Sequence, residues 1–206
     1  MKTKIIITGI ILLFTTECRA QLIHSYGLKL GIVDASQSWT YSGILTGATA
    51  FEKSRIGLDL GGYIEWLDLP VVSLLTEAHY IQKGAIDEFP LASGQIRKST
   101  LRIDYLSFPV LAKFRFGTPL ITAYGAVGPR IDFYLGKNKD ATAGVFDGIK
   151  SSDFGATVGL GFEIPIIIGY KLGSEFRYSY SSTDIIADQY LVVKNSSAEF
   201  LVTIGF

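Results

Sequence analysis

Cysteine is nearly missing from this chain of 206 residues; Cys18 stands alone. It falls in a segment expected to be cleaved away. A disulfide framework, a thiolate nucleophile and a cysteine-ligated metal are therefore excluded from the remainder. Histidine is almost as scarce. His24 and His79 are the only two, too few for a zinc site without cysteine. A charge excess is also lacking, with 19 basic residues against 19 acidic. That balance offers no basic patch for nucleic acid and no acidic tail. No glycine-rich phosphate loop occurs, because Gly155, Gly159 and Gly161 follow strand parity. No cofactor is implied. Beyond the N-terminus no run approaches the roughly 18 apolar residues of a membrane helix. The mean hydropathy is nevertheless positive, +0.33, so the apolar residues must be dispersed along strands.

What is abundant fits that reading. There are 22 Gly, 11 Tyr and 13 Phe, a mixture that favours strands and turns over helices. The N-terminus reads as a secretory signal peptide over residues 1–20. Lys2 and Lys4 precede an apolar stretch from Ile5 to Phe14, and Cys18-Arg19-Ala20 places small residues at −3 and −1 of a cut before Gln21. Glu17 next to Cys18 spoils a lipoprotein match. Cleavage would remove Lys2, Lys4, Arg19 and Glu17, leaving a net charge of −2 on a domain spanning 21–206.

In that domain, period-two alternation recurs about eight times. Tyr26, Leu28, Leu30 and Ile32 oppose Lys29; Leu58, Leu60, Ile64 and Trp66 oppose Asp59 and Glu65; Leu74, Thr76, Ala78 and Tyr80 oppose Glu77 and His79. Leu106, Phe108, Val110, Phe114 and Phe116 oppose Lys113 and Arg115, and Val127, Ile131 and Phe133 oppose Arg130 and Asp132. Phe154, Val158, Leu160 and Phe162 oppose Asp153 and Glu163; Phe176, Tyr178 and Tyr180 oppose Glu175 and Arg177; Phe200, Val202, Ile204 and Phe206 oppose Glu199. Two places break the pattern. Arg102 and Asp104 share parity with Leu106, which requires a bulge or a position above the membrane. Pro109 and Pro129 each remove a ladder donor, and a bulge or bend is expected there.

Alternation alone suits a soluble sandwich or a membrane barrel. Strand and loop lengths separate them. The strands run about 10 to 14 residues, against about 5 or 6 in ordinary sheets and 9 to 11 for a tilted membrane strand. Short turns around Leu69-Pro70, Thr118 and Pro165 alternate with long polar connections near 35–54, 84–99, 136–151 and 181–195. That asymmetry belongs to outer-membrane barrels, with the turns periplasmic. Aromatics gather at both strand ends, as interface belts require. The expected fold is all-β, an eight-stranded antiparallel up-and-down transmembrane β-barrel of a bacterial outer membrane, with membrane lipid as its first partner.

Tyr105 to Phe116 resembles a strand of PorT-like outer-membrane proteins of the Bacteroidota, as do Gly128-Pro129-Arg130-Ile131-Asp132, the stretch Asp153 to Glu163, and Glu175 to Tyr180 with Thr183-Asp184-Ile185. The resemblance covers about 100–206 clearly and the earlier strands by pattern. It implies fold and location. The member that gives the family its name is linked to type IX secretion, a role that membership does not transfer. The end Leu201 to Phe206 resembles the terminal aromatic strand read by the barrel-insertion machinery.

The candidate inward charges are Lys29, Asp59, Glu65, Glu77, Lys113, Arg115, Arg130, Asp132, Asp153, Glu163, Glu175, Arg177 and Glu199, with His79 among them. Eight strands leave a lumen just wide enough for side chains, so paired charges filling it are the expected arrangement. Arg130 is expected to reach at least one carboxylate, with Asp153 foremost. No catalytic, metal or cofactor-binding residue is assigned. The leading function is a non-enzymatic outer-membrane protein, structural or accessory to transport or secretion, meeting protein partners through its extracellular loops. Two alternatives stand beside it: a rim enzyme acting on lipid or peptide through His79 and Glu77, and a soluble periplasmic lipocalin-like binder.

Overall fold

A computed structural model of the protein describes residues 23–43, 53–67, 69–90, 93–118, 120–138, 148–167, 169–188 and 191–206. The expected signal segment, Asp68, Pro119 and the middles of two long connections lie outside the described residues. Nine strands follow one another: β1 Ile23–Tyr41, β2 Lys53–Trp66, β3 Val72–Pro90, β4 Ile96–Thr118, β5 Ile121–Lys137, β6 Ser152–Ile167, β7 Tyr170–Ser181, β8 Ile186–Asp188 and β9 Leu191–Gly205. Eight of them are long and pair antiparallel with their neighbours. The ring closes where β1 pairs with β9, from Gly27 opposite Gly205 to Tyr41 opposite Leu191. The ninth, β8, is a three-residue strand lying on the outer end of β9.

The two faces of the wall have opposite chemistry. Leu28, Leu30, Ile32, Leu60, Val127, Val158, Phe176, Phe200 and Val202 point outward and are exposed; Leu160 is 70 % exposed. Their inward neighbours Lys29, Asp59, Glu77, Arg130, Glu175 and Arg177 are buried. A lipocalin-like binder would carry its apolar side chains inside, so that alternative is overturned. Apolar out and charged in is the pattern of a barrel whose outer wall meets hydrocarbon.

Aromatic side chains bound this apolar band. At the inner end Phe206 packs between Tyr26, 5.7 Å between ring centroids, and Tyr170, at 5.6 Å. At the outer end Phe108 meets Phe133 edge-on at 5.9 Å, with Tyr80, Tyr178 and Tyr180 also on the outward face. Beyond them the outward positions turn polar: Asp34, Gln82, Asp104, Ser152 and Ser196. Tyr26 and Asp34 are eight residues apart on β1, close to the 9 to 11 that a tilted strand needs to span hydrocarbon.

The strands do not stop at that boundary. β3 and β4 run 19 and 23 residues, so the stretch 84–99, expected as a loop, is mostly a continuing hairpin. β1 likewise continues to Tyr41, seven residues past Asp34. The barrel therefore projects well beyond the membrane.

Both irregular places resolve simply. Arg102 and Asp104 keep parity with Leu106 on the outward face, above the apolar band, and the local bulge lies in β5 around Leu135. Pro109 and Pro129 produce no bulge. The β3–β4 pairing runs from Thr76 opposite Val110 to His79 opposite Ser107, and the β4–β5 pairing from Pro109 opposite Arg130 to Ala112 opposite Val127, each without a register change. The ladder loses rungs there but keeps its count, because a missing N–H deletes a hydrogen bond without adding a residue.

Candidate functional site, the filled lumen

Three layers of side chains fill the interior. The innermost is centred on Lys113 from β4. Its Nζ donates to Glu65 Oε2 at 3.1 Å and Glu163 Oε1 at 2.6 Å, and lies 4.5 Å from the centroid of the Tyr124 ring. Ser25 and Ser73 also donate to Glu65, at 3.2 and 2.5 Å. Arg115 sits at the inner mouth, half-buried, donating to the Leu69 carbonyl and lying 3.8 Å from Glu65.

The middle layer is the densest. Arg177 spans two carboxylates: Nη1 and Nη2 donate to Glu77 at 2.5 and 2.7 Å, while Nε and Nη2 donate to Glu175 at 2.5 and 3.0 Å. Lys29 bridges the same two, at 2.8 Å to Glu77 and 2.7 Å to Glu175. Tyr124 donates its hydroxyl to Glu175 at 3.0 Å. The layer thus ties β1, β3, β5 and β7 across the lumen. A guanidinium holding two carboxylates at once uses its planar donor fork fully.

His79 belongs to this layer. Its Nδ1 is 2.6 Å from Asp59 and its Nε2 is 3.0 Å from Glu77. Both nitrogens face acceptors, and both can donate only when the ring carries two protons. The ring packs on the neighbouring strand's Gly61, where a Cβ would come within 2.5 Å of it. Gly161 leaves room for Tyr124 in the same way, again at 2.5 Å.

The outermost polar layer holds Lys83, which donates to Asp132 at 2.6 Å, and Arg130. The Arg130 guanidinium reaches Asp132 at 3.3 Å and Glu199 at 3.9 Å. The expectation of a carboxylate within reach is met, but Asp153 is not the partner. Arg130 pairs across the sheet with Gly155, while Asp153 stands opposite Asp132, nearer the outer end. Asp153 instead accepts from Ser181 at 2.6 Å, Thr183 at 3.0 Å and Asn195 at 3.1 Å. Beside Arg130 lies a small cavity lined by Asp59, His79, Ser107, Thr157, Arg177 and Glu199, with about 10 Å³ of room, on the order of one water molecule.

Above these layers the interior becomes apolar. Val33 and Ala35 of β1, Ile81 and Ala85 of β3, Leu101, Ile103 and Tyr105 of β4, and Val193 of β9 form a buried cluster. Ile185, just before β8, and Ile186 of β8 join it. The Ile185 N–H donates to the Val193 carbonyl, and its own carbonyl accepts from the Lys150 N–H, both at 2.9 Å or less.

All the expected inward charges face the lumen or its inner mouth. Lys83, Asn195 and Tyr105 were not anticipated as lumen groups. The third strand had been expected to end near Tyr80, which left Lys83 outside it, although Lys83 keeps the parity of Glu77 and His79. Placing His79 near an outer rim is corrected as well. β3 continues eleven residues past it, and the ring is 2 % exposed. It is bound into the charge network and away from any surface where lipid or peptide could reach it.

Comparison with known families agrees with this architecture. A family model described as outer membrane protein beta-barrel domain matches residues 20–187. No match was found among curated proteins. Among solved structures, Neisserial surface protein A is 13 % identical with a TM-score of 0.49, covering 88 % of this chain and 97 % of that one. The N-terminal barrel of Pseudomonas aeruginosa OprF is 13 % identical at 0.44, covering 88 % and 97 %. The attachment invasion locus protein Ail of Yersinia pestis is 12 % identical at 0.41, covering 88 % and 98 %. This chain belongs to the outer membrane protein beta-barrel domain family, and it is a protein of the bacterial outer membrane.

Proposed function

We propose that this barrel is a closed, non-enzymatic outer-membrane protein whose working surface is its projecting outer part, serving as an accessory to transport or protein secretion. The observation that carries this reading is the filled lumen. Arg177 and Lys29 clamp Glu77 and Glu175 at 2.5 to 3.0 Å across the barrel, and an apolar cluster closes the space above them. A conduit would need to break both. A rim hydrolase would need an accessible base, and His79 is spent on Asp59 and Glu77. What remains available is the outside of the extended β3–β4 hairpin and the long connections. PorT-like membership within the family rests on the strand Tyr105 to Phe116 and its companions. Delivery by a cleaved segment 1–20 and insertion through the strand ending at Phe206 complete the proposal.

Two measurements test it. Purified protein in planar bilayers should show no ion conductance, whereas steady channel steps would sink the closed-barrel reading. Deleting the gene should change the set of secreted or surface proteins, and a chain altered only around Gly94 at the β3–β4 tip should reproduce that change. An unchanged surface protein set would reject the accessory role.

A further inference from the structure

The outward face just above the apolar band is not uniform. On β1 and β9 it carries Asp34, Ser36 and Ser196. On the β2–β4 side it carries cations arranged around single carboxylates. Arg102 and Asp104 lie outward on β4, opposite Gly84 and Gln82, and Arg102 Nη2 donates to Asp104 at 3.2 Å. Arg55 comes from β2 where the β2–β3 register shifts. Its Nη1 borders the same space over Gly57 as the Gln82 side chain, and Gln82 stands opposite Asp104; its charge interacts with those of Arg102 and Asp104 and with Tyr80. Four positions further out on β4, Lys98 stands opposite Glu88, and Lys53 donates to the same Glu88 at 2.5 Å. Each rung therefore has two cations to one carboxylate, and the rungs are roughly 13 Å apart along the strand.

The lower rung is incompletely satisfied. Arg55 Nη1 and Arg102 Nε are shielded from solvent and have no hydrogen-bond partner, as is Asp104 Oδ1. Burial, and then the Arg102 guanidinium, disfavour the charged form of Arg55. An anion between the two guanidiniums would relieve their repulsion and accept their free N–H groups. The carboxylate of Asp104 works against an anion, but it offsets only one of the two positive charges. Asp34 bounds the patch on the β1 side.

The position selects the kind of anion. This rung sits directly above Leu106, Tyr80 and the apolar band, at the level of the outer-leaflet headgroups. We infer that Arg55 and Arg102 hold a phosphate of an outer-leaflet lipid headgroup, whose acyl chains run down the adjoining wall, and that the Lys53–Lys98 rung lies over the same headgroup's outer portion. A soluble polyanion would leave the apolar wall beside this rung uncovered. The inference depends on the membrane placement and not on the accessory role proposed above.

Native mass spectrometry of the protein released from detergent micelles tests this, with bisphosphorylated lipid A as the probe and dephosphorylated lipid A as its comparison. The wild-type protein should retain the phosphorylated form at least tenfold better. Arg55→Gln with Arg102→Gln should abolish that preference, while Lys194→Gln, on the outer part of β9, should preserve it. Heat-modifiable gel migration establishes that each variant is folded, and the two-lipid comparison on wild-type protein stands without any variant. Equal retention of both lipids would overturn the inference by leaving only acyl contact. An unchanged preference in the double variant would overturn the assignment to these arginines. Binding of soluble dextran sulfate through Arg55 and Arg102, without retention of lipid A, would assign the patch to a dissolved polyanion instead.

Discussion

The lumen within the membrane and the lumen above it are built on opposite principles. Below about the level of Val33 the interior is charged and hydrogen-bonded, and the exterior is apolar. Above it the exterior is polar, and much of the interior is a buried apolar cluster like that of a water-soluble domain. The difference follows from the solvent outside each part. Where lipid surrounds the wall, burying apolar groups inside gains nothing, since lipid is equally apolar, and packing and polar contacts inside the lumen must set the structure. Where water surrounds the wall, apolar side chains directed inward gain the usual hydrophobic stabilisation. A narrow seam joins the two regimes, in which Gln37 donates to Asn195, and Asn195 donates to Asp153 and to the Tyr105 hydroxyl.

The most severe change to this arrangement is expected from Arg177→Ala. It leaves Lys29 as the one cation bridging Glu77 and Glu175, and breaking a buried pair from one side typically costs about 3 to 5 kcal/mol. Adding Glu175→Gln should recover part of the loss, as judged by urea unfolding in lipid vesicles. If the single variant unfolds like the wild type, the middle layer is not a stabilising network.

Next comes Ile103→Ala in the outer cluster, expected to cost about 2 to 4 kcal/mol through lost burial and a residual cavity. Its effect should be read by proteolysis of the projecting strands as well as by unfolding. Increased cleavage with unchanged membrane insertion would sharpen the division into two regimes. Failure to insert would instead show that the outer cluster forms first and governs assembly.

Leu160→Arg tests the lipid-facing wall, since an arginine at the midplane costs roughly 2 to 4 kcal/mol. Vesicle refolding yield should fall, more for this variant than for Ile56→Arg near the polar boundary. Equal yields would mean that the apolar band has been placed wrongly. The smallest effect belongs to Lys53→Ala. Its contact with Glu88 is on the surface, where water and salt screen the pair, so the unfolding midpoint should barely move.

Much of this was legible in the sequence because a strand has only two faces. Parity placed Lys29, Glu77, Glu175 and Arg177 inside and Leu160 outside, and about eight such strands with short turns alternating with long connections gave the barrel. Pairing between distant strands was less accessible. Nothing in the order of residues says that Arg177 reaches Glu77 across the barrel, because that contact depends on lumen diameter and register together. The choice of Asp153 for Arg130 failed for a related reason. Register brought Asp153 level with Asp132, but the guanidinium lies between Asp132 and Glu199 while Ser181, Thr183 and Asn195 occupy Asp153. The outer apolar cluster was missed because Leu101, Ile103 and Tyr105 share parity with charged Lys113, and the alternation there reverses its meaning. Once the wall leaves the membrane, an apolar residue on the charged face is a core residue, and only the polar outward neighbours Arg102 and Asp104 signalled the change.

Adjacent positions on β4 report that reversal, since Arg102 faces outward and Ile103 is buried. Arg102→Cys and Ile103→Cys, each made in a chain whose Cys18 is replaced by serine, should be exposed to a membrane-impermeant maleimide on the folded protein in vesicles. Labelling should be rapid at 102 and blocked at 103 until the protein is unfolded. Labelling of both at the same rate would contradict the reversal, because the projecting barrel would then have no closed apolar interior.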